Sequence, residues 1–197
     1  MDESKPIGNS VSGNIGTVPR SESALRRSKS QRDVKSERAL DLARRFRAAN
    51  EELIAFTQAL TDDDWMTWCE PEGRRVGQVI EHVAAGHLVI GDIVEAMALG
   101  LPLPVAARRT AATGARFNAR QAATFDSHTR EQALRALRRN GLAIERFLAA
   151  LTDDELARTI DTIEGPLSTE EEIVGGLFGH LRSHFDAVEA SLRRGPI

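Results

Sequence analysis

Hydrophobic residues return every three or four positions over most of this chain, the interval that gathers them on one side of an α-helix. From Ser36, the series Leu40, Leu42, Ala43, Phe46, Ala49, Leu53, Ile54, Phe56 and Leu60 predicts a first helix that stops near Thr61. Asp62-Asp63-Asp64 follows, an anionic cluster that disfavours a helix C-terminus and equally suits the opening of a short turn. Beyond Trp65, Trp68 and a loop at Pro71-Glu72-Gly73, the set Val76, Val79, Ile80, Val83, His87, Ile90, Val94 and Met97 traces a second helix up to Gly100-Leu101-Pro102. A third, capped by Ser127 or Thr129, carries Leu134, Leu137, Leu142, Ile144, Phe147, Leu148 and Leu151. A short turn at Asp153-Asp154-Glu155-Leu156 and a loop with Gly165-Pro166 lead to Ser168 and Glu171, spaced as a capping box. A fourth helix therefore begins there and runs to about Arg194. Strand-like alternation is nowhere sustained, so the expectation is an all-α four-helix bundle. Residues 100–127 form its long crossover, with one or two helical turns expected within Ala115 to Phe125, and allow the third helix to run parallel to the second.

Composition narrows this picture. Residues 1–35 are rich in Ser, Gly, Asn, Lys and Arg and poor in large apolar side chains, which predicts a disordered N-terminal tail ahead of a bundle domain at 36–197. Within it, Arg26-Arg27-Ser28-Lys29-Ser30-Gln31-Arg32 reads as a solvated basic stretch, of a kind that also suits phosphorylation or a weak anionic contact. A formal charge of -3, from 26 basic and 29 acidic residues, provides no global attraction to nucleic acid or an acidic membrane. The single cysteine, Cys69, excludes an internal disulfide or a cysteine-rich metal site. It is expected in a loop whose acidic neighbours raise its pKa rather than activate it. The N-terminus lacks the pattern of a secretory signal, and no apolar run approaches bilayer-spanning length, so a cytoplasmic protein with no membrane partner is expected. No GxSxG, phosphate-binding or dinucleotide fingerprint is present.

The candidate chemistry lies in histidine. His180 and His184 are four residues apart, slightly over one helical turn, which stacks both imidazoles on one face. Projection places Leu177, Leu181, Val188 and Leu192 on one side of that helix and Arg182, Asp186, Glu189 and Arg193 on the other, with the two histidines on the apolar flank. Gly175, Gly176 and Gly179 are expected to let a helix or substrate approach closely. Spacing alone leaves the pair open between metal chelation and two partly buried imidazoles bonded to backbone. A third imidazole is available on the second helix, where His82 lies to one side of the apolar stripe and His87 in its middle, about 140° away. A seam between helices draws ligands from flanks, which favours His82 and leaves His87 as a core residue. Glu81, Asp92 and Glu95 read as solvated carboxylates, Trp65 and Trp68 as packing groups, and His128 as a surface or capping residue. Arg108, Arg109, Arg116 and Arg120 make the crossover cationic, as ordinary surface charge or as a contact for an anionic substrate.

In order and spacing, Leu60-Thr61-Asp62-Asp63-Asp64-Trp65, Arg75-Val76-Gly77-Gln78-Val79-Ile80-Glu81-His82-Val83, Phe117-Asn118-Ala119-Arg120 and Gly179-His180-Leu181-Arg182-Ser183-His184-Phe185 together resemble the DinB/YfiT-like superfamily. The likeness is closest to its mycothiol-dependent maleylpyruvate isomerase N-terminal branch and covers about residues 38–194. It implies a four-helix bundle with crossover connections and a divalent metal, zinc or nickel, held by His82, His180 and His184. It further implies a low-molecular-weight thiol, mycothiol or bacillithiol, that reacts with an electrophilic substrate in a thiol-S-transferase-like reaction. Asn118 and Arg120 are the expected contacts for that second substrate, and no residue stands out as a general base. Because the isomerase carries a further C-terminal domain and this chain stops at Ile197, isomerisation itself is not carried over. A non-catalytic bundle that binds metal or a small ligand, for sensing, resistance or assembly, is the alternative. A homodimer through an exposed apolar face is compatible with either.

Overall fold

A computed structural model describes residues 36–104 and 129–193. The expectations for the tail, for most of the crossover and for His128, Asn118, Arg120 and the other crossover arginines lie outside the described residues. Within them, four long helices build the core. Helix α1 spans Glu37–Ala59 and is capped by Ser36, whose hydroxyl accepts from Ala39 N at 3.0 Å. It buries Leu42, Phe46, Asn50, Leu53 and Thr57 along one face. Helix α2, Asp62–Met66, is the short turn that the aspartates open: Thr61 and Asp64 cap each other, and hydrogen bonds from Thr61 hold the Asp64 carboxyl below its ordinary pKa. Strands β1 (Trp68–Cys69) and β2 (Arg74–Arg75) pair antiparallel around a 3-10 turn at Glu70–Glu72, which Gly73 closes with φ 61°.

Helix α3, Val76–Leu99, is buried on more than one side, with Val76, Val79, Ile80, Val83, Ala84, His87, Ile90 and Val94 all inaccessible or nearly so. Gly100, at φ 66°, ends it. Contrary to the sequence expectation, this helix is long and apolar enough to cross a bilayer. Its apolarity is that of a helix surrounded by protein, since 61% of its most apolar window is buried.

Helix α4, Arg130–Leu148, takes Thr129 as its cap and packs Leu134, Leu137, Ile144 and Leu148 inward. Leu142, expected in that set, is 45% exposed, because Gly141 occupies the inward register beside Asn140. After α5 (Asp153–Leu156), the expected loop around Gly165-Pro166 is a hairpin of β3 (Thr159–Thr162) and β4 (Gly165–Ser168), in register Thr159 with Ser168. Its strands are four residues long and bury none of their residues, so they carry no hydrophobic alternation. Ser168 and Glu171 form the expected capping box and open α6, Thr169–Glu172. The fourth helix is not uniform: a π-helical stretch at Ile173–Phe178 separates α6 from α7, Gly179–Arg193.

Side-chain pairings fix the directions. Asn140 meets Ala84 and Gly91 meets Ile144, so α3 and α4 run parallel. Leu137 and Glu145 on α4 meet Asn50 and Arg47, so α1 opposes α4. Phe178 stacks on Phe46 and Phe185 meets Phe56 edge-on, so α7 follows α1 and opposes α3. The order is up, down, down, up, as a long crossover after α3 requires.

Candidate metal centre

The antiparallel contact of α3 with α7 brings the ends of two four-residue steps together. His82 and Gly86 lie one above the other on α3; His184 and His180 do so on α7. Nε2 of His82 and Nε2 of His180 stand 3.2 Å apart, and the three ring centroids of His82, His180 and His184 are 4.5 to 5.0 Å from one another. One ligand atom from each residue lies within 4.8 Å of the other two. Two nitrogens each about 2.0–2.1 Å from a tetrahedral ion would stand about 3.3 Å apart, close to the observed separation. His82 is buried, and His180 and His184 are partly exposed, so the cluster sits at the bundle flank with one side toward solvent.

Gly86 makes the approach possible. A methyl group there would stand 2.3 Å from Cε1 of His180, inside the imidazole's own space. The glycines expected to provide such room, Gly175, Gly176 and Gly179, do not: a methyl at Gly175 meets nothing, at Gly176 the Glu172 side chain, and at Gly179 only the Val174 carbonyl.

Glu72 completes the surroundings. Nδ1 of His184 donates to its Oε1 at 2.7 Å, and its Oε2 lies 3.4 Å from Nη2 of Arg74. Burial works to raise the Glu72 pKa but is outweighed by the His184 hydrogen bond and the charges of His184, Arg74 and His82, which hold it below the ordinary carboxylate value. With Nδ1 of His184 engaged, its Nε2 is the atom left for an ion. The residues therefore fit a divalent cation: three imidazoles from two packed helices, one with an outer carboxylate partner.

The other singled-out residues divide clearly. His87 is wholly buried, edge-on to Phe46, with Nε2 2.9 Å from Oδ1 of Asn50. Since the Asn50 amide nitrogen donates to Leu137 O, Oδ1 accepts and the Nε2 of His87 carries the proton. Burial pushes its pKa down to about 4, so it is a neutral core residue whose ring bonds to Asn50 rather than to the histidine cluster. Cys69, expected in a loop, lies in β1 and is 0% accessible, with Sγ 3.6 Å from Ala187 O and 3.3 Å from Ser191 Oγ. Trp65 packs over Gly77 at the start of α3, whereas Trp68 is half exposed. Asp92 and Glu95 are exposed as expected, and Glu81 is half buried.

Sequence reading passed over Glu72 and Gly86. Glu72 belongs to an irregular turn 112 positions before His184, where no periodicity operates. Gly86 carried a usable signal, a residue without a side chain one helical turn beyond His82 on the same face. No curated protein and no solved structure matches the chain. A family model does, over residues 45–187, and its description is the DinB superfamily.

Proposed function

The chain belongs to the DinB superfamily, and from that premise we propose that it is a divalent-metal-dependent enzyme of thiol-S-transferase type that uses a low-molecular-weight thiol. The observation that carries the reading is the convergence of His82, His180 and His184 at ligand spacing, with a side toward solvent. Three protein ligands and an open fourth position are the pattern of catalytic rather than structural sites. Zinc or nickel is the proposed ion, because imidazole nitrogens suit both. When bound, the ion would supply a Lewis acid that lowers the pKa of the thiol.

The chain's own residues hold and aim. His82 supplies a buried nitrogen from α3, and His180 and His184 supply two from α7. The partly exposed edge of the cluster admits the thiol. In the proposed reaction its sulfur bonds to an electrophilic carbon, the leaving group departs with its electron pair, and the thiol proton passes to solvent. The likeness to the mycothiol-dependent branch motivates mycothiol or bacillithiol as the thiol, and Asn118 and Arg120 as contacts for the electrophile.

Metal analysis of freshly purified protein, followed by cobalt substitution and an S-transfer assay with mycothiol or bacillithiol and an aryl chloride, tests the reading. The expected result is one ion per chain, turnover that chelation abolishes, and loss of both in His180→Ala. Metal uptake without turnover by either thiol would favour the non-catalytic metal-binding alternative. If His180→Ala leaves both metal content and activity unchanged, the proposal is wrong.

A further inference from the structure

Glu72 lies outside the imidazole cluster yet is fastened to it from two directions. Its Oε1 accepts the Nδ1 proton of His184 at 2.7 Å, and its Oε2 is 3.4 Å from Arg74 Nη2. All three side chains are largely shielded, at 14% exposed for Glu72, 15% for Arg74 and 16% for His184. The hairpin that carries Glu72 is anchored to the same helix as His184: Cys69, three residues before, is buried against Ala187 and Ser191 on the next turns of α7. The carboxylate therefore projects from a fixed base toward a fixed ring.

A carboxylate only accepts hydrogen bonds, so the His184 proton belongs on Nδ1 and the Nε2 lone pair faces the cluster. Without that partner the imidazole would divide between tautomers and turn about its Cβ–Cγ bond, and each alternative removes Nε2 from the ligand position. The negative charge behind the ring also strengthens Nε2 as an electron-pair donor.

We propose that Glu72 is a positioning residue for the metal ion, acting through His184, with Arg74 steadying the carboxylate's second oxygen. The inference rests on the metal-binding reading above and extends it to a residue on a third segment of the chain. Glu72→Ala should bind Zn2+ and Co2+ about 10- to 100-fold more weakly, in competition with a chromophoric chelator, while the visible bands of its cobalt form keep the wild-type pattern because no ligand is lost. Glu72→Gln, which retains an acceptor but not the charge, should fall between. His82→Ala should lose more than either. Thermal melts of the metal-free variants establish that each is folded.

A second readout needs no ion: the ring 15N shifts of His184 in metal-free wild-type chain should report the Nδ1-protonated form, and those of Glu72→Ala a mixture of tautomers. Wild-type affinity in Glu72→Ala would overturn the proposal, and so would an unchanged His184 tautomer. A changed cobalt coordination pattern would also overturn it, because Glu72 would then be a ligand itself. A wild-type chain that takes up no ion would overturn the metal reading and this inference together. Wild-type uptake with an indifferent Glu72→Ala would overturn this one alone.

Discussion

Replacing Gly86 by alanine should separate the metal centre from the fold that carries it. The added methyl stands 2.3 Å from Cε1 of His180, so the ring must withdraw by more than about 1 Å to reach van der Waals separation. Metal–nitrogen bonds tolerate only about 0.2 Å, so the displaced imidazole ceases to be a ligand. The helix gains at the same time, because alanine is favoured over glycine in a helix interior by about 1 kcal/mol. His180 is partly exposed and can swing toward water, so the clash is relieved at the side chain rather than in the core. Loss of a ligand should cost more than the 10- to 100-fold that outer partners are worth, and we take about 100-fold as the lower bound. With Zn2+ at about 100 times the wild-type Kd, the wild type gains about 2.7 kcal/mol from binding and the variant no more than about 0.4 kcal/mol. That difference corresponds to several degrees in thermal midpoint, read by circular dichroism with and without ion. A Gly86→Ala chain that melts like the wild type when metal-free and keeps its full metal-induced rise would refute the assignment of His180 to the ion.

Two further outcomes follow from the buried polar groups. His87, with its pKa lowered to about 4, stays neutral in the fold, while the unfolded chain takes up a proton below about pH 6.5. The unfolded state thus binds more protons between those values, so the stability due to this residue is complete above pH 6.5 and drains away as pH falls toward 4, by about 3 kcal/mol in all. Urea midpoints of the metal-free protein from pH 7 to pH 4, compared with those of His87→Gln, isolate the effect; parallel curves would contradict it. At Gly141 a methyl would fall on the amide nitrogen of Asn50, displacing the side chain that accepts from His87 and donates to Leu137 O. Gly141→Ala should therefore lower stability by about 2 kcal/mol net of its helix propensity, and a raised urea midpoint would count against the Asn50 bridge.

Legibility along this chain followed periodicity. Where one face of a helix is apolar and its ends carry strong caps, as at Ser36, Thr129, Ser168 and Gly100, helices begin or stop where the residues say. The local rules failed where a residue's role is set by a distant partner. Leu142 fits the spacing but turns outward because Asn50 needs the room over Gly141. The hairpin at 159–168 is too short and too wet to alternate. At the centre, the i, i+4 pair on α7 and the flank position of His82 could be read from the sequence, and the structure brings those three together. Glu72, on an irregular turn, could not be. The glycines nearest His180 in sequence also proved uninformative, because the room it uses belongs to another helix.

The π-helical stretch at Ile173–Phe178 has a geometric effect downstream. Such a stretch accommodates an additional residue per turn relative to α-geometry, so everything after it is rotated by about 100° from where counting onward from Ser168 would put it. It works as a phase shifter between the cap that starts this segment and the imidazoles that end up facing α3. The same residues wound as plain α-helix would keep the cap and the amphipathic outline yet aim both rings past their counterpart, whereas a chain one residue shorter there could close the stretch to α-geometry and still present them to α3.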